Sequence, residues 1–303
     1  MSNFILGVDG GGTKTDAVIA DESGKIISTA TNGGANWERM GIAKALDSLE
    51  EVIKSAAASA DIATSDISYA TFAIAGIDWP SDIDLYQPIT QRLGIKNFEI
   101  MNDSFAALYA GSKSLEGIVS IAGTGGKTAG IYAGNKVQSM GMELGEGGGA
   151  GQLVGLALEY IAMQFHGTAE PSALYEVIPT VLGKSPGIEF FEGVARSGTQ
   201  LNESLAPEIF KLSDQNDAGA LYAVKKTALQ HAKDVCGIAK QLGIRDQEVT
   251  VVRAGGLHTA GNNAFDKEFE NYVKRCLPNA ILMVLDKAPV MGAVLHSVGA
   301  LRA

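Results

Sequence analysis

GVDGGGTKT, Gly7 to Thr15, follows the apolar run Phe4-Ile5-Leu6 near the start of a 303-residue chain. Three adjacent glycines cost chain entropy and remove every Cβ from one turn. Phe4 to Val8 reads as a buried strand entering that turn. Thr15 to Ile19 reads as the strand that returns from it, apolar at Ala17 and Ile19, and Ile26 to Thr29 as a third strand. This is a hairpin meander rather than a strand-to-helix step, and the distinction excludes two familiar phosphate motifs. A Walker A loop starting at Gly7 needs Lys after Gly12, where Thr13 stands; Gly126-Lys127-Thr128 needs Gly at 121, where Ile121 stands. A dinucleotide fingerprint needs a helix after its glycines. What remains is a bare hairpin whose N–H groups touch phosphate oxygens. Thr13 and Thr15 would add hydroxyls, Lys14 charge, and Asp9 would hold Mg2+ through water. For this loop alone, a glycine hairpin with Asp9 as turn former is the structural alternative.

Further along, Ile42, Leu46, Leu49, Ile53 and Ala56 recur at helical spacing. Tyr69 to Ile74 reads as a strand ending at Ala75-Gly76-Ile77-Asp78. Phe98 to Met101 reads as another, ending at Asn102-Asp103 before a helix over Ser104 to Tyr109. The alternation indicates the α/β class. Gly117 to Ala122, the turn Gly123-Thr124-Gly125-Gly126 and the return Thr128 to Tyr132 then repeat the opening pattern. That internal repeat puts a boundary near Gly111 to Glu116 and predicts domains over 1–113 and 114–303. The glycine cluster MELGEGGGAGQLVG and a helix over Leu153 to Phe165 follow. Residues 168–220 carry no distinctive motif. A long helix spans Leu221 to Leu242, a strand Val249 to Val252 ends at Ala254-Gly255-Gly256, and a last helix runs over Val290 to Leu301.

Hydrophobic residues at 46% supply a sizeable core, and a net charge of -10 argues against nonspecific nucleic-acid or anionic-membrane partners. No apolar stretch reaches the length of a membrane span, and the opening residues lack a basic leader. Cys236 and Cys276 form no CxxC pair and read as reduced thiols of a cytoplasmic protein. His166, His231, His258 and His296 show no ligand spacing and read as satisfied structural histidines; Asp214 and Asp217 read as solvated.

Taken in order, GVDGGGTKT, MNDSFAALYAG, IAGTGGKTAG, VVRAGGL and PVMGAV resemble the sugar kinases of the actin/Hsp70/hexokinase superfamily. Within it the chain is most similar to the BadF/BadG/BcrA/BcrD ATPase family, which includes N-acetylglucosamine kinases. The resemblance implies two ribonuclease-H-like domains of the actin-like ATPase fold around a central nucleotide cleft, with the last helix, 290–303, packing back near the hinge. It implies ATP and Mg2+ as cofactors. Gly10, Gly11, Gly12, Thr13, Lys14 and Thr15 match the first phosphate loop, Gly123, Thr124 and Gly125 the second, and Gly255 and Gly256 the adenosine loop. Asp103 matches the catalytic base, a role that a carboxylate at the carboxyl end of a strand suits. Its structural alternative is a helix cap. Asn36, Gly76, Asp78, Gly145 and Glu146 match sugar-binding positions, with Glu143 an alternative in the last loop. Trp37 reads either as an apolar wall for a sugar face or as buried core.

The activity implied is phosphorylation of a sugar hydroxyl, on N-acetylglucosamine or a related amino sugar or hexose, by a protein whose expected assembly is a homodimer. The loop MELGEGGGAGQLVG departs from the family's sugar-binding pattern, and a helix starting near Gln152 would offer its N-terminus to an anion. That opens a second reading, a kinase for a sugar acid such as 2-keto-3-deoxygluconate. A third is an activator-type ATPase of a dehydratase or reductase, which needs paired cysteines for an iron–sulfur cluster. A fourth is a non-catalytic nucleotide-dependent sugar sensor.

Overall fold

The computed structural model describes residues 3–140 and 147–302. In the first half, β1 (Phe4–Gly10), β2 (Lys14–Asp21) and β3 (Ile26–Gly33) lead into the short α1 (Trp37–Met40) and into α2 (Ile42–Ser59). Then come β4 (Ile67–Ile74), α3 (Pro80–Tyr86), α4 (Pro88–Leu93), β5 (Phe98–Met101) and α5 (Asp103–Gly111). The second half opens with β6 (Gly117–Ala122), β7 (Gly126–Tyr132) and β8 (Asn135–Gln138). Helices α6 (Gly149–Phe165), α7 (Leu174–Val181), α8 (Ile188–Ala195), α9 (Ala206–Asp214) and α10 (Ala218–Leu242) follow. The chain closes with β9 (Thr250–Ala254), α11 (Gly256–Thr259), α12 (Asn263–Cys276), β10 (Ile281–Val284) and α13 (Val290–Arg302).

The strands form two five-stranded sheets, ordered β3-β2-β1-β4-β5 and β10-β9-β6-β7-β8. Numbered within its own half, each reads 3-2-1-4-5, so the internal repeat extends to topology. In the first sheet β1 is antiparallel to β2 and parallel to β4, which is parallel to β5. The short strands β8 and β10 went unread in the sequence: NKVQ is polar and ILMV is only four residues long.

By contact, the chain divides into one unit of Met1–Val119, Ala129–Gln138 and Leu285–Ala303, and another of Ser120–Thr128 and Ser139–Val284. In the first unit, strand alternation sorts β1 and β2 between two cores. Leu6, Val8, Ala17 and Ile19 pack with Leu46, Leu49 and Ile53 of α2. Ile5, Val18 and Ala20 pack with Val290, Val294 and Val298 of α13. Helix α13 approaches so closely that a Cβ on Gly7 would lie 2.7 Å from Val294, and one on Gly292 would land on the carbonyl of Ala106 in α5. A polar network ties the same helix down: His296 faces Glu99 at 3.1 Å and Thr71 at 2.9 Å, and Lys136 pairs with Glu99. These partners, with burial opposing them, hold the Glu99 carboxyl down at about 2.

Gly292→Ala is therefore expected to cost about 3 kcal/mol or more in urea unfolding, because backbone on α5 must move. Gly299→Ala on the same helix, where a Cβ meets only the Leu115 side chain at 3.7 Å, is the control and should be neutral or slightly stabilising.

In the second unit, α10 is capped by Asp217, which accepts from the Ala220 N–H and also from Ser172 Oγ at 2.6 Å and the Ala173 N–H at 2.7 Å. Asp217 is thus a helix cap rather than a solvated acid. Asp214 likewise accepts from Asn262 Nδ2 at 2.9 Å. The thiol reading is corrected as well: Cys236 of α10 and Cys276 of α12 are joined in a disulfide, with Cα atoms 6.1 Å apart. The two are separated by 40 residues, and only the packing of α10 on α12 brings them together, so no local spacing announces the bond.

Candidate active site

In the first unit the carboxyl ends of β1, β4 and β5 converge. Asp9 pairs with Ala73 and Ala73 with Met101, so Asp9 and the Asn102-Asp103 corner belong to neighbouring strand ends. Asn102 caps α5, its Oδ1 accepting from the Ser104 N–H at 3.0 Å. The capping role thus falls to Asn102, and Asp103 occupies the first helical residue, where the helix dipole favours a carboxylate. Asn102 Nδ2 also donates to Asp78 Oδ1 at 3.1 Å, which puts Asp78 beside the same corner. Burial, reinforced by the charges of Asp103 and Asp16 and opposed by Lys14, pushes the Asp9 carboxyl up to about 7.

The first glycine hairpin forms as read, closed by the Gly11 N–H donating to Lys14 O at 2.8 Å. Its side chains divide between two faces. Gly10 and Thr15 are paired across the hairpin; Thr15 is fully buried, and its Oγ1 has no partner among the described residues. Thr13 is exposed, and Lys14 Nζ lies 2.7 Å from Asp16. Gly34 passes along the loop tip so closely that a Cβ there would sit 3.0 Å from Thr13 N. Asn36 then caps α1, accepting from the Glu38 and Arg39 N–H groups at 2.8 and 3.3 Å. The same side chain abuts Gly76, whose φ of 84° suits glycine. Trp37 is half-buried against the core, and its indole donates to Gly76 O at 2.8 Å. Two residues outside the sequence motifs complete this end. Gln138 donates to Ile77 O at 3.2 Å and Asp78 O at 2.8 Å. The Arg39 guanidinium lies 3.1–3.2 Å from the Cβ position of Gly12.

In the second unit the hairpin Gly123-Thr124-Gly125 rests on the start of α6. The Ala150 N–H donates to Gly123 O at 2.8 Å and the Gly151 N–H to Thr124 O at 3.2 Å. The Gly147 N–H goes to Asp234 at 2.9 Å and the Gly148 N–H to Gln152 Oε1 at 3.2 Å. The helix begins at Gly149 rather than near Gln152, and these engaged donors are not offered to an anion. Gly145, Glu146 and Glu143 lie outside the described residues. Gly255, at φ 88°, lies so close to the Ala122–Gly123 backbone that a Cβ on it would sit 2.6–2.7 Å from those main-chain atoms, which brings the second and third glycine turns side by side.

Beside them opens a cavity of about 880 Å³, lined by Gly123, Thr124, Gly256, Leu257 and Ala260 and by Phe210, Lys211 and Asp214 of α9. Its size and mixed lining suit a nucleoside. The contribution of α9 was not legible, because residues 168–220 form ordinary amphipathic helices with no motif.

Beneath these turns, His231 and His258 are buried against Phe265, their ring centroids 6.5 and 5.2 Å from it. His258 Nε2 meets Ser120 Oγ at 3.1 Å. His231, contrary to the reading of a satisfied histidine, has no partner for either ring nitrogen among the described residues. Burial drives its pKa down to about 4, and that of His258 well below its ordinary value. The unfolded chain therefore takes up protons below about pH 6.5 that the fold refuses. Stability is full above that pH and falls toward pH 4, by about 3 kcal/mol for His231. Calorimetric melting between pH 7 and 4.5 should show a steeper loss for the wild type than for His231→Leu.

Against this geometry, the profile of the BadF/BadG/BcrA/BcrD ATPase family matches residues 6–297. The chain belongs to that family. The N-acetylmuramic acid/N-acetylglucosamine kinase of Clostridium acetobutylicum is 23% identical over 96% of this chain and 97% of its own length. A structure from Chromobacterium violaceum described as an N-acetylglucosamine kinase superposes with TM-score 0.71 at 20% identity, covering 97% and 98% of the two chains. A ROK family glucokinase from Streptomyces griseus, in complex with glucose and AMPPNP, gives 0.58 at 18% identity over 99% and 100%. The fold is the actin-like ATPase fold, with two five-stranded mixed sheets.

For a BadF/BadG/BcrA/BcrD ATPase, the cysteines bear on the activator reading. Each of Cys236 and Cys276 has the other as its bonded partner. Among the described residues no group of three or more His, Cys, Asp or Glu is placed to hold a metal ion, and no helix is long and apolar enough to cross a membrane.

Proposed function

We propose that this chain is an ATP-dependent carbohydrate kinase acting on N-acetylglucosamine or a related amino sugar or hexose. The observation that carries the reading is the placement of Asp103 at the first residue of α5, beside Asp9 and Asp78, with the capping role filled by Asn102. Asp103 accepts the proton of the attacking sugar hydroxyl as the new P–O bond forms. Asn36, Gly76 and Asp78 orient the sugar. Gly10 to Thr15 receive the terminal phosphoryl group. The cavity beside α9 takes adenosine, next to Gly255 and Gly256, and Gly123 to Gly125 lie against the inner phosphates. Asp9 fits Mg2+: a buried carboxylate crowded by Asp103 and Asp16 is relieved by a cation, which when bound supplies charge neutralisation to the phosphates. The domains 1–113 and 114–303 remain our division of the chain by descent, and its need for ATP argues for action in the cytoplasm.

Against the sugar-acid reading weighs the engagement of the Gly147, Gly148, Ala150 and Gly151 N–H groups at the start of α6. A sensor without turnover has no use for a proton acceptor at Asp103. The test is release of ADP over a panel of hexoses, amino sugars and aldonic acids with Mg2+. Turnover dependent on an amino sugar or hexose is expected; hydrolysis of ATP indifferent to every acceptor would end the kinase reading.

A further inference from the structure

A loop that receives phosphate needs a cation, and the sequence offers Lys14. Its ammonium is 2.7 Å from the Asp16 carboxylate, which also accepts from the Thr31 hydroxyl at 2.7 Å. That charge is engaged along the meander. A different cation reaches the loop tip. The chain leaves β3, passes Gly34 against the Gly12–Thr13 peptide, and donates the Ala35 N–H to Gly11 O at 3.0 Å. The Asn36 cap then starts α1 in a fixed direction. The result is that Nε, Cζ and Nη1 of Arg39 all lie 3.1–3.2 Å from the Cβ position of Gly12. The side chain is exposed, and among the described residues no carboxylate is ion-paired with it. A planar fork of N–H donors that is always charged matches phosphate oxygens. The arrangement also gives Gly12 a second reason to be glycine, since any side chain there displaces the guanidinium.

We propose that Arg39 is the cation of the first phosphate loop: it binds the terminal phosphoryl group of ATP and neutralises its charge during transfer. The inference rests on the reading of Gly10 to Thr15 as a phosphate loop. In the step it assists, the bond from the γ-phosphorus to the bridging oxygen breaks and a bond to the sugar oxygen forms. The hydroxyl proton passes to Asp103 and ADP leaves with the bridging electron pair; Arg39 makes and breaks no covalent bond. A guanidinium in this role discriminates nucleotides by their last phosphate, which a purely structural arginine does not.

The experiment is titration calorimetry of the full chain with AMPPNP and with ADP, each with Mg2+, for the wild type, Arg39→Ala, Arg39→Lys and Gly12→Ser. Arg39→Ala should weaken AMPPNP by about 10- to 100-fold, the range of a lost charge-assisted contact, and leave ADP within about twofold. Arg39→Lys should recover part of the loss, and Gly12→Ser should repeat the selectivity of Arg39→Ala. Equal losses for the two nucleotides, or none, overturn the assignment. So does an intact AMPPNP affinity accompanied by a raised KM for aldonic acids, which moves the guanidinium to the acceptor. A wild-type chain that binds neither nucleotide overturns the phosphate-loop reading itself, and this inference with it.

Discussion

Asp103→Asn should reduce sugar-dependent ADP release by roughly 10²- to 10⁴-fold, the usual contribution of a positioned general base, while ATP affinity stays within about twofold. The reasoning starts at the helix. Were Asp103 the cap of α5, its replacement by Asn would be nearly silent, because Asn caps as well as Asp. The cap is Asn102, through Oδ1 to the Ser104 N–H, so the start of α5 does not depend on residue 103 for its cap. The chemistry does depend on it: an amide is isosteric but accepts no proton. Steady-state rates and a nucleotide titration on the same preparation decide it. Full turnover by the Asn variant would remove Asp103 from the reaction; a nucleotide affinity lost in parallel would make it a binding residue instead.

Asp9→Asn should do two opposite things. In the absence of metal it should raise the melting temperature at pH 8, and it should nearly abolish turnover. Asp9 has its carboxyl pushed up to about 7, from 3.8, by burial first and then by Asp103 and Asp16. A pKa raised in the fold means that the folded chain holds a proton which the unfolded chain releases. The contribution of Asp9 to stability is therefore greatest below about pH 4, declines as pH rises to about 7, and stays reduced above it, by up to about 4 kcal/mol, opposite in sign to that of His231. Asparagine removes the charge and with it this decline. A divalent cation is the other way to relieve it, so Mg2+ should raise the melting temperature of the wild type at pH 8 and leave that of Asp9→Asn unchanged. A lower melting temperature for the variant would refute the argument. Stability given up at a buried acid for the sake of turnover is a common trade at active sites.

The sequence exposed the parts of this fold that are local. Glycine turns between apolar runs identified both hairpins, and spaced apolar residues identified α2 and α10. Asn102-Asp103 at a strand end marked the corner of the proposed base, although which of the two caps α5 is decided only by side-chain direction. What stayed hidden depends on contacts distant in sequence. The cavity wall from α9 carries no motif, since an amphipathic helix gives the same pattern whether its edge meets solvent or a nucleoside. The disulfide follows from the packing of α10 on α12. Arg39 reads as a surface residue of a short helix until Gly34 and the Asn36 cap turn it over Gly12. His231 resembles any histidine on a buried helix face, and nothing in its neighbours shows that both nitrogens lack partners.

The docking of α13 has a bearing on how this chain is made. One face of the first sheet, Ile5, Val18 and Ala20, is completed by Val290, Val294 and Val298. A ribosome reaches those valines only after the whole of the second unit has been synthesised, on the order of 10 to 30 s after β8 at ordinary elongation rates. During that interval Ile5, Val18 and Ala20 of the nascent first unit lack the valines that complete their cluster. That unit's folding is completed only after the second unit has been made, and the earlier portion of the polypeptide waits, in a state that chaperones can grip, for this helix to arrive.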